Sequence, residues 1–285
     1  MLPAYGGVSG WACLRWRGGE WFDGTAGRDQ DLRPVVLATM DSSIRRQPGI
    51  EISEERLAPE QLTPYAGLMT TTESYALLFE IRHARTLGLA VVAADMAAFS
   101  DLVSRAELAA LVAQCAGWVG IGQARRVVEL MEENAWSPAE VVMRRVWTAD
   151  AGLPRPLCNR PVFDLGGRLL GTPDLLDPET GVAGEYDSEL HLERSRRRRD
   201  VEREGLFRAA GLETVAMVTG ELADPWSFVD RLRAAYARAQ RRPAADRPWT
   251  ITPPAWWTPT WTVEQRRALT ADQREVWLRH RRLAG

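Results

Sequence analysis

The sequence of 285 residues contains no lysine, three cysteines and three histidines. All 36 basic residues are therefore arginine, for which a GC-rich genome is the simplest cause. Without lysine, Schiff-base catalysis and a P-loop phosphate site are excluded. The cysteines Cys13, Cys115 and Cys158 are odd in number and far apart, so they predict neither a disulfide framework nor a zinc site.

Long hydrophobic runs are also missing. No apolar stretch approaches the roughly 18–20 residues that a membrane-spanning helix needs. The first twenty residues have neither the basic start nor the continuous apolar stretch of a signal peptide. Hydrophobic residues make up 45% of the chain and charged residues 26%, which is typical of globular proteins. We therefore expect a cytoplasmic protein without a membrane partner, folded as one large domain or two modest ones.

The charge is distributed unevenly along the chain, although the net charge is only -2. Residues 1–193 contain 17 arginines and 27 acidic residues, whereas residues 194–285 contain 19 arginines and 11 acidic residues. A basic C-terminal third favours a polyanionic partner such as nucleic acid. A solvated basic tail would explain the same count, and charge alone does not separate the two.

The pattern of apolar residues divides the chain into three regions. Residues 1–136 predict a mostly helical module with some strand near its start, including a nearly all-apolar helix at 87–99. Residues 137–240 predict the order α-β-β-β-α-β-α, in which short strands at 160–165, 169–177 and 182–187 are followed by a charged helix. Residues 241–285 contain a Pro/Trp-rich linker, expected to run extended with its tryptophans packed on the body, and then a basic helical segment. The expected fold class is α/β, of the α+β type.

Three acidic residues in the second region form the most informative pattern. Asp174 follows Pro173, and Glu185 and Asp187 lie two residues apart on the next predicted strand, where their side chains share a face. If the two strands form a hairpin, the three carboxylates meet at one end and repel one another unless a cation lies between them. Mg²⁺, or Mn²⁺ in its place, prefers such hard oxygen ligands. The pattern therefore predicts a metal-dependent hydrolase of phosphodiester bonds.

The Pro173-Asp174 pair, the turn and Glu185-x-Asp187, on this order of elements, resemble the PD-(D/E)xK restriction-endonuclease-like fold. The closer resemblance is to the branch similar to very-short-patch repair endonucleases, through EYDSELH (185–191), an Arg-rich helix (194–211) and an apolar strand (213–219). The resemblance covers about 137–240. It implies that Asp174 is the metal-binding aspartate and Glu185 the second acid.

The same resemblance assigns the remaining site residues. Asp187 stands where the family usually has its lysine, and His191 matches a later histidine that acts as general base or orients water. Glu140 would be a helix-borne acid upstream, although it is first the acid of a capping box that Ser137 opens. Residues 1–136 resemble the module that precedes such domains in actinobacterial proteins, itself similar to AbiEi-type antitoxin regulators.

A cluster of arginines follows the second acidic strand. Guanidinium groups bind phosphate in bidentate fashion, so the cluster indicates a nucleic-acid contact, although a solvated helix face paired with neighbouring acids would look the same. The candidate nucleic-acid-binding residues are Arg194, Arg196, Arg197, Arg198, Arg199 and Arg203.

The sequence thus supports one main function and two alternatives. The main hypothesis is a Mg²⁺-dependent endonuclease or nickase whose partner is nucleic acid, DNA in preference to RNA. The first alternative is a non-catalytic DNA-binding antitoxin or transcriptional regulator with a degenerate nuclease domain, which the missing lysine favours and the retention of three carboxylates opposes. A nuclease acting on RNA is the second alternative, because no base-reading motif distinguishes the two nucleic acids.

Overall fold

The protein has mixed α/β content. The computed structural model describes residues 6–26, 31–40, 45, 47–187, 203–239, 243, 246–279 and 281. In this part of the chain the helices are α1 (Gly10–Trp16), α2 (Glu73–His83), α3 (Leu87–Phe99), α4 (Arg105–Gln114), α5 (Ile121–Leu130), α6 (Pro138–Arg145), α7 (described over 203–209), α8 (Trp226–Ala239), α9 (Val263–Arg267) and α10 (Ala271–Trp277). The strands are β1 (Gly7–Ser9), β2 (Thr25–Ala26), β3 (Asp31–Leu32), β4 (Val35–Ala38), β5 (Ile50–Ser53), β6 (Leu62–Tyr65), β7 (Leu68–Thr71), β8 (Leu157–Cys158), β9 (Val162–Asp164), β10 (Leu169–Gly171), β11 (Leu175–Asp177), β12 (Val182–Asp187), β13 (Glu213–Val218) and β14 (Trp249–Thr250).

The N-terminal half combines helices with a larger sheet than its sequence indicates. Helix α3 is confirmed with its expected bounds, and four of its five alanines are fully buried in the core that α2 and α5 also line. The capping box at the start of α4 is confirmed as well: the Ser104 hydroxyl accepts from the Glu107 N–H, and the Glu107 carboxylate accepts from the Ser104 N–H. A mixed sheet in the order β5-β4-β1-β7-β6 lies beside these helices. Strands β5, β6 and β7 were not predicted, because each has only four residues and shows little alternation of apolar and polar residues.

A four-stranded sheet with the order β13-β12-β11-β8 organises the second region. Strands β8, β11 and β12 are antiparallel, whereas β13 runs parallel to β12. Met143 of α6, Trp147 and Phe228 of α8 pack on one face of this sheet, and Phe207 of α7 packs on the other. The Gly184 position on β12 has no room for a side chain, since an added Cβ would lie 2.9 Å from the Trp147 ring.

The first strand of this region differs from the prediction. Within the run at 160–165, residues Val162–Asp164 form β9, which pairs with β10 and β14 in a separate three-stranded sheet. Strand β8, which precedes it, is the first strand of the four-stranded sheet instead. The elements around this sheet, α6-β8-β11-β12-α7-β13-α8, keep the predicted order of element types with β8 in place of the run at 160–165. Two residues of β8 are too few for an alternating pattern to reveal.

The C-terminal segment runs back over the N-terminal half. We call residues 260–279 and 281 the C-terminal strap. Val263 of α9 lies fully buried in the N-terminal core, and its N–H donates to Glu133 over 2.6 Å. Arg266 is fully buried and donates to the Asp101 carboxylate over 2.6 Å and to the carbonyl oxygens of Ala98 and Thr260. This part of the basic charge therefore binds the protein's own acids and carbonyls.

The tryptophans of the linker pack on the body, as predicted. Trp249 is buried beside β9, and the Trp257 ring lies 5.2 Å from the Phe163 ring and 5.0 Å from the Trp277 ring. Among the described helices, none combines the length and the apolar character needed to cross a bilayer.

Candidate functional site

The predicted hairpin between β11 and β12 is confirmed. Leu175 pairs with Gly184 and Asp177 with Val182 in antiparallel register. Asp174 directly precedes β11, so this register places it opposite Glu185. The Tyr186 N–H donates to Asp174 Oδ2 over 2.7 Å, which fixes the aspartate at this end of the sheet.

Glu185 lies on the sheet face that α7 covers, and it contacts an arginine of that helix. The Arg203 Nη2 donates to Glu185 Oε2 over 2.9 Å, and 19% of the Glu185 side chain remains exposed. Helix α7 also packs closely on Gly171 of β10, where an added Cβ would lie 2.8 Å from the Phe207 ring and 3.0 Å from Arg203 Cγ. Asp187, at the end of β12, is exposed. Arg203, expected to bind phosphate, therefore forms an ion pair with the second acid.

Glu140 comes to the same end of the sheet from α6, and it is 6% exposed. Its Oε2 accepts from the Trp136 N–H over 2.8 Å and from Asn159 Nδ2 over 2.6 Å, and its Oε1 accepts from the Ser137 hydroxyl over 2.9 Å. Burial, and then the negative charge of Asp174, raise the pKa of Glu140 to about 8. At neutral pH this carboxyl group is therefore mostly protonated. The Asp174 contribution shows that the two acids act on each other electrostatically.

Two asparagines that the sequence analysis did not identify hold these acids in place. Asn159 has a left-handed backbone, with φ of 45°; its N–H donates to the Asp174 carbonyl over 2.9 Å, and its side chain donates to Glu140. Asn134 donates to the carbonyl oxygens of Cys158 and Asn159 over 2.9 and 3.0 Å, and it accepts from Arg281 of the C-terminal strap over 3.3 Å. Asparagine tolerates the left-handed region better than most residues, but an isolated asparagine gives no signal in the sequence.

A buried ion pair anchors the helix that carries Glu140. Arg144 of α6 and Asp95 of α3 are 5% and 0% exposed at their side chains, and Arg144 Nη1 lies 2.7 Å from Asp95 Oδ2. Arg144 also donates to the Leu130 carbonyl over 3.1 Å. Burial raises the pKa of Asp95 to about 6, although the charge of Arg144 opposes this shift. The pair couples the position of α6 to the N-terminal helices.

The remaining predicted site residues lie outside the described part of the chain. These residues are His191, Arg194, Arg196, Arg197, Arg198 and Arg199, all within the undescribed range 188–202. Their roles stay predictions.

The carboxylate oxygens of the candidate site are the type of ligand that a hard cation prefers, but their arrangement meets its needs only in part. Within the described ranges, no group of three or more histidine, cysteine, aspartate or glutamate side chains is placed to hold a metal ion. Mg²⁺ usually takes one or two protein carboxylates and completes its shell with water and substrate phosphate. Asp174 and Glu185, opposite each other on adjacent strands, meet that smaller requirement.

Comparison with protein-family models, with curated proteins and with solved structures gives no match to this chain. The functional assignment therefore depends on the site itself.

Proposed function

We propose that the chain is a Mg²⁺-dependent nuclease, a DNA endonuclease or nickase. The observation that supports this proposal is the placement of Asp174 opposite Glu185 at one end of the hairpin, with Glu140 of α6 near enough for the charge of Asp174 to raise its pKa. Carboxyl groups brought together inside a protein repel one another and lower its stability. Acids placed close together in spite of this repulsion, with one pKa raised, are typical of functional sites.

The residues would divide the work as follows. Asp174 and Glu185 would hold the cation, which when bound polarises a phosphoryl oxygen and lowers the pKa of a water molecule. Glu140, mostly protonated at neutral pH, would keep the negative charge of the site at two and could donate a hydrogen bond. Arg203, 2.9 Å from Glu185, would supply positive charge beside the second acid, where a phosphate could bind it.

A non-catalytic DNA-binding regulator is the second candidate, and the geometry of Glu185 favours it. Arg203 already neutralises this acid, and Asp174 already accepts a backbone hydrogen bond, so neither carboxylate needs a metal to be stable. In a site that has lost its catalytic activity, an arginine and a backbone N–H would be expected to take the place of the cation beside the carboxylates.

Cleavage of supercoiled plasmid in Mg²⁺, Mn²⁺ or EDTA tests the proposal. Asp174→Asn keeps an oxygen for the Tyr186 N–H but removes the negative charge, so cleavage should fall by at least roughly 10²-fold while DNA binding is retained. Asp230→Asn, which neutralises an exposed acid on α8, is the matched control and should cleave normally. Equal cleavage by both variants, or cleavage in EDTA, would contradict the proposal. Binding without cleavage under any cation would favour the regulator.

Metal binding has a readout that does not need activity. Divalent cation that binds the folded state alone stabilises it by about 2.7 kcal/mol at a hundred times its Kd, so Mg²⁺ should raise the melting temperature. A variant with alanine at Asp174, Glu185 and Asp187 should lose this response. A wild-type protein that does not respond to Mg²⁺ or Mn²⁺ would argue against the cation site.

A further inference from the structure

An arginine without a polar partner lies beside the candidate site. The Arg160 guanidinium stacks on Trp261, with its central carbon 3.7 Å from the ring centroid. Within the part of the chain that the structure describes, Arg160 makes no hydrogen bond or ion pair, and its Nε is buried without an acceptor. The Nη groups also have no partner among the described residues but, unlike Nε, keep some solvent access, so they can donate to a ligand that carries acceptors.

A second group of aromatic rings packs on β9, the strand that follows Arg160. Trp256 is 55% exposed, and its orientation is fixed by near-perpendicular contacts with Phe163 and Trp257, at 6.1 and 5.6 Å between ring centroids. The buried Nε1 of Trp257 also has no acceptor among the described residues. This segment therefore combines an exposed aromatic ring with an arginine that has no hydrogen-bond or ion-pair partner among the described residues.

The position of this surface connects it to the acids. Arg160 follows Asn159, which binds both Glu140 and Asp174. Phe163, on which Trp256 packs, is three residues further along the chain, so its Cα lies at most about 10 Å from the Cα of Arg160. The one acid on this strand, Asp164, directs its Oδ1 to the N–H groups of the turn that follows β9. Positive charge and aromatic rings thus adjoin the carboxylates.

We infer that Arg160, Trp256 and Trp261 form a surface that binds an unpaired stretch of nucleic acid next to the candidate site. This inference rests on the proposed function and adds a substrate class to it. Every base has a flat face that can stack on tryptophan, whereas in a duplex those faces are covered by neighbouring bases. The Arg160 guanidinium supplies donors for a phosphate oxygen of the same strand. We call these three residues the stacking surface.

The test is binding of fluorescein-labelled oligothymidylate and of a duplex of equal length, measured by anisotropy in EDTA. Trp256→Ala should weaken binding of oligothymidylate by about tenfold and should leave duplex binding unchanged. The loss of one base stack weakens binding by about 5- to 150-fold in general. Trp226→Ala, which removes a tryptophan that is 59% exposed on α8, is the matched control and should change neither affinity.

Arg160 is tested in the same assay. Arg160→Gln should reduce the slope of log affinity against log salt for oligothymidylate by about 0.7, which corresponds to one phosphate contact on a single strand. Arg125→Gln, which removes an exposed arginine of α5 and the same net charge, should leave the slope unchanged. If Trp256→Ala alters the fold, Trp256→Phe keeps an aromatic ring and should restore binding.

The outcomes separate this inference from the nuclease proposal. Equal affinities in Trp256→Ala and Trp226→Ala, or tighter binding of duplex than of oligothymidylate by the wild type, would overturn the stacking surface even if the plasmid is cleaved. Selective loss of oligothymidylate binding in Trp256→Ala would support it even if no cation produces cleavage.

Discussion

Replacing Glu140 with glutamine should flatten the dependence of stability on pH between pH 6 and pH 8. The folded-state pKa of Glu140 is about 8, against 4.5 for an unperturbed glutamate. Above about pH 4.5 the unfolded chain releases this proton while the folded protein keeps it. Because the folded state binds more protons throughout this range, the free energy of unfolding falls as pH rises from about 4.5 to about 8.

The size of the effect follows from the shift. One pKa unit corresponds to about 1.4 kcal/mol, so the whole shift would amount to about 5 kcal/mol, of which about 2 kcal/mol is lost between pH 6 and pH 8. Glutamine has no proton to release, and its amide can donate to the Ser137 hydroxyl while its oxygen accepts from Trp136 and Asn159. Asp95, with a pKa of about 6, adds a similar dependence at lower pH, which both proteins share.

Urea unfolding at pH 6, 7 and 8 measures these slopes. Glu107→Gln is the control. Glu107 is likewise the acid three residues after a helix N-cap, but it is exposed, and although burial opposes the shift, its hydrogen bond with Arg267 lowers its pKa. The control should keep the slope of the wild type in this range. If Glu140→Gln also kept that slope, Glu140 would be ionised in the folded protein and the electrostatic account of the site would be wrong.

Two further predictions concern packing. Gly171→Ala should lower the free energy of unfolding by about 1–3 kcal/mol, because its Cβ would meet Phe207 of α7, whereas Gly122→Ala, with nothing within 4 Å of its added Cβ, should be neutral or stabilising in thermal denaturation. Arg266→Met should lower the free energy of unfolding by about 3 kcal/mol, because it removes a fully buried cation from its carboxylate and carbonyl partners. Arg208→Gln, at a side chain 78% exposed, is the control and should change this free energy by no more than about 0.5 kcal/mol in urea unfolding. Equal effects of the two variants would show that the C-terminal strap contributes little to stability.

The sequence predicts the elements whose signals are local. The apolar run at 87–99 and the capping pair of Ser104 and Glu107 define helices without any knowledge of their neighbours. The turn at 178–181 between two apolar runs specifies the hairpin, and the hairpin specifies that Asp174 faces Glu185. These features depend on residues close together in the chain.

Contacts between distant segments could not be predicted in this way. The ion pair of Arg203 with Glu185 depends on how closely α7 packs, and a side chain at Gly171 of β10 would collide with Phe207 and Arg203 of that helix. The count of arginines in the C-terminal third indicates excess positive charge, but not that Arg266 is buried against Asp101, 165 positions away. Counting charged residues shows how much charge a segment carries, whereas tertiary packing determines which acids and carbonyl groups each arginine contacts.

The C-terminal strap has a consequence for the order in which the protein folds. Val263 completes a core built otherwise from residues before 142, and Arg281 donates to the carbonyl oxygen of Phe99 over 2.8 Å, 182 positions away. Contacts of such high sequence separation are closed late, since a long loop must be ordered first. During synthesis, the N-terminal helices would therefore leave the ribosome with part of their apolar core exposed, until residues 260–281 emerge and cover it. A shortened chain ending before residue 260 should accordingly be more prone to aggregate than the full chain.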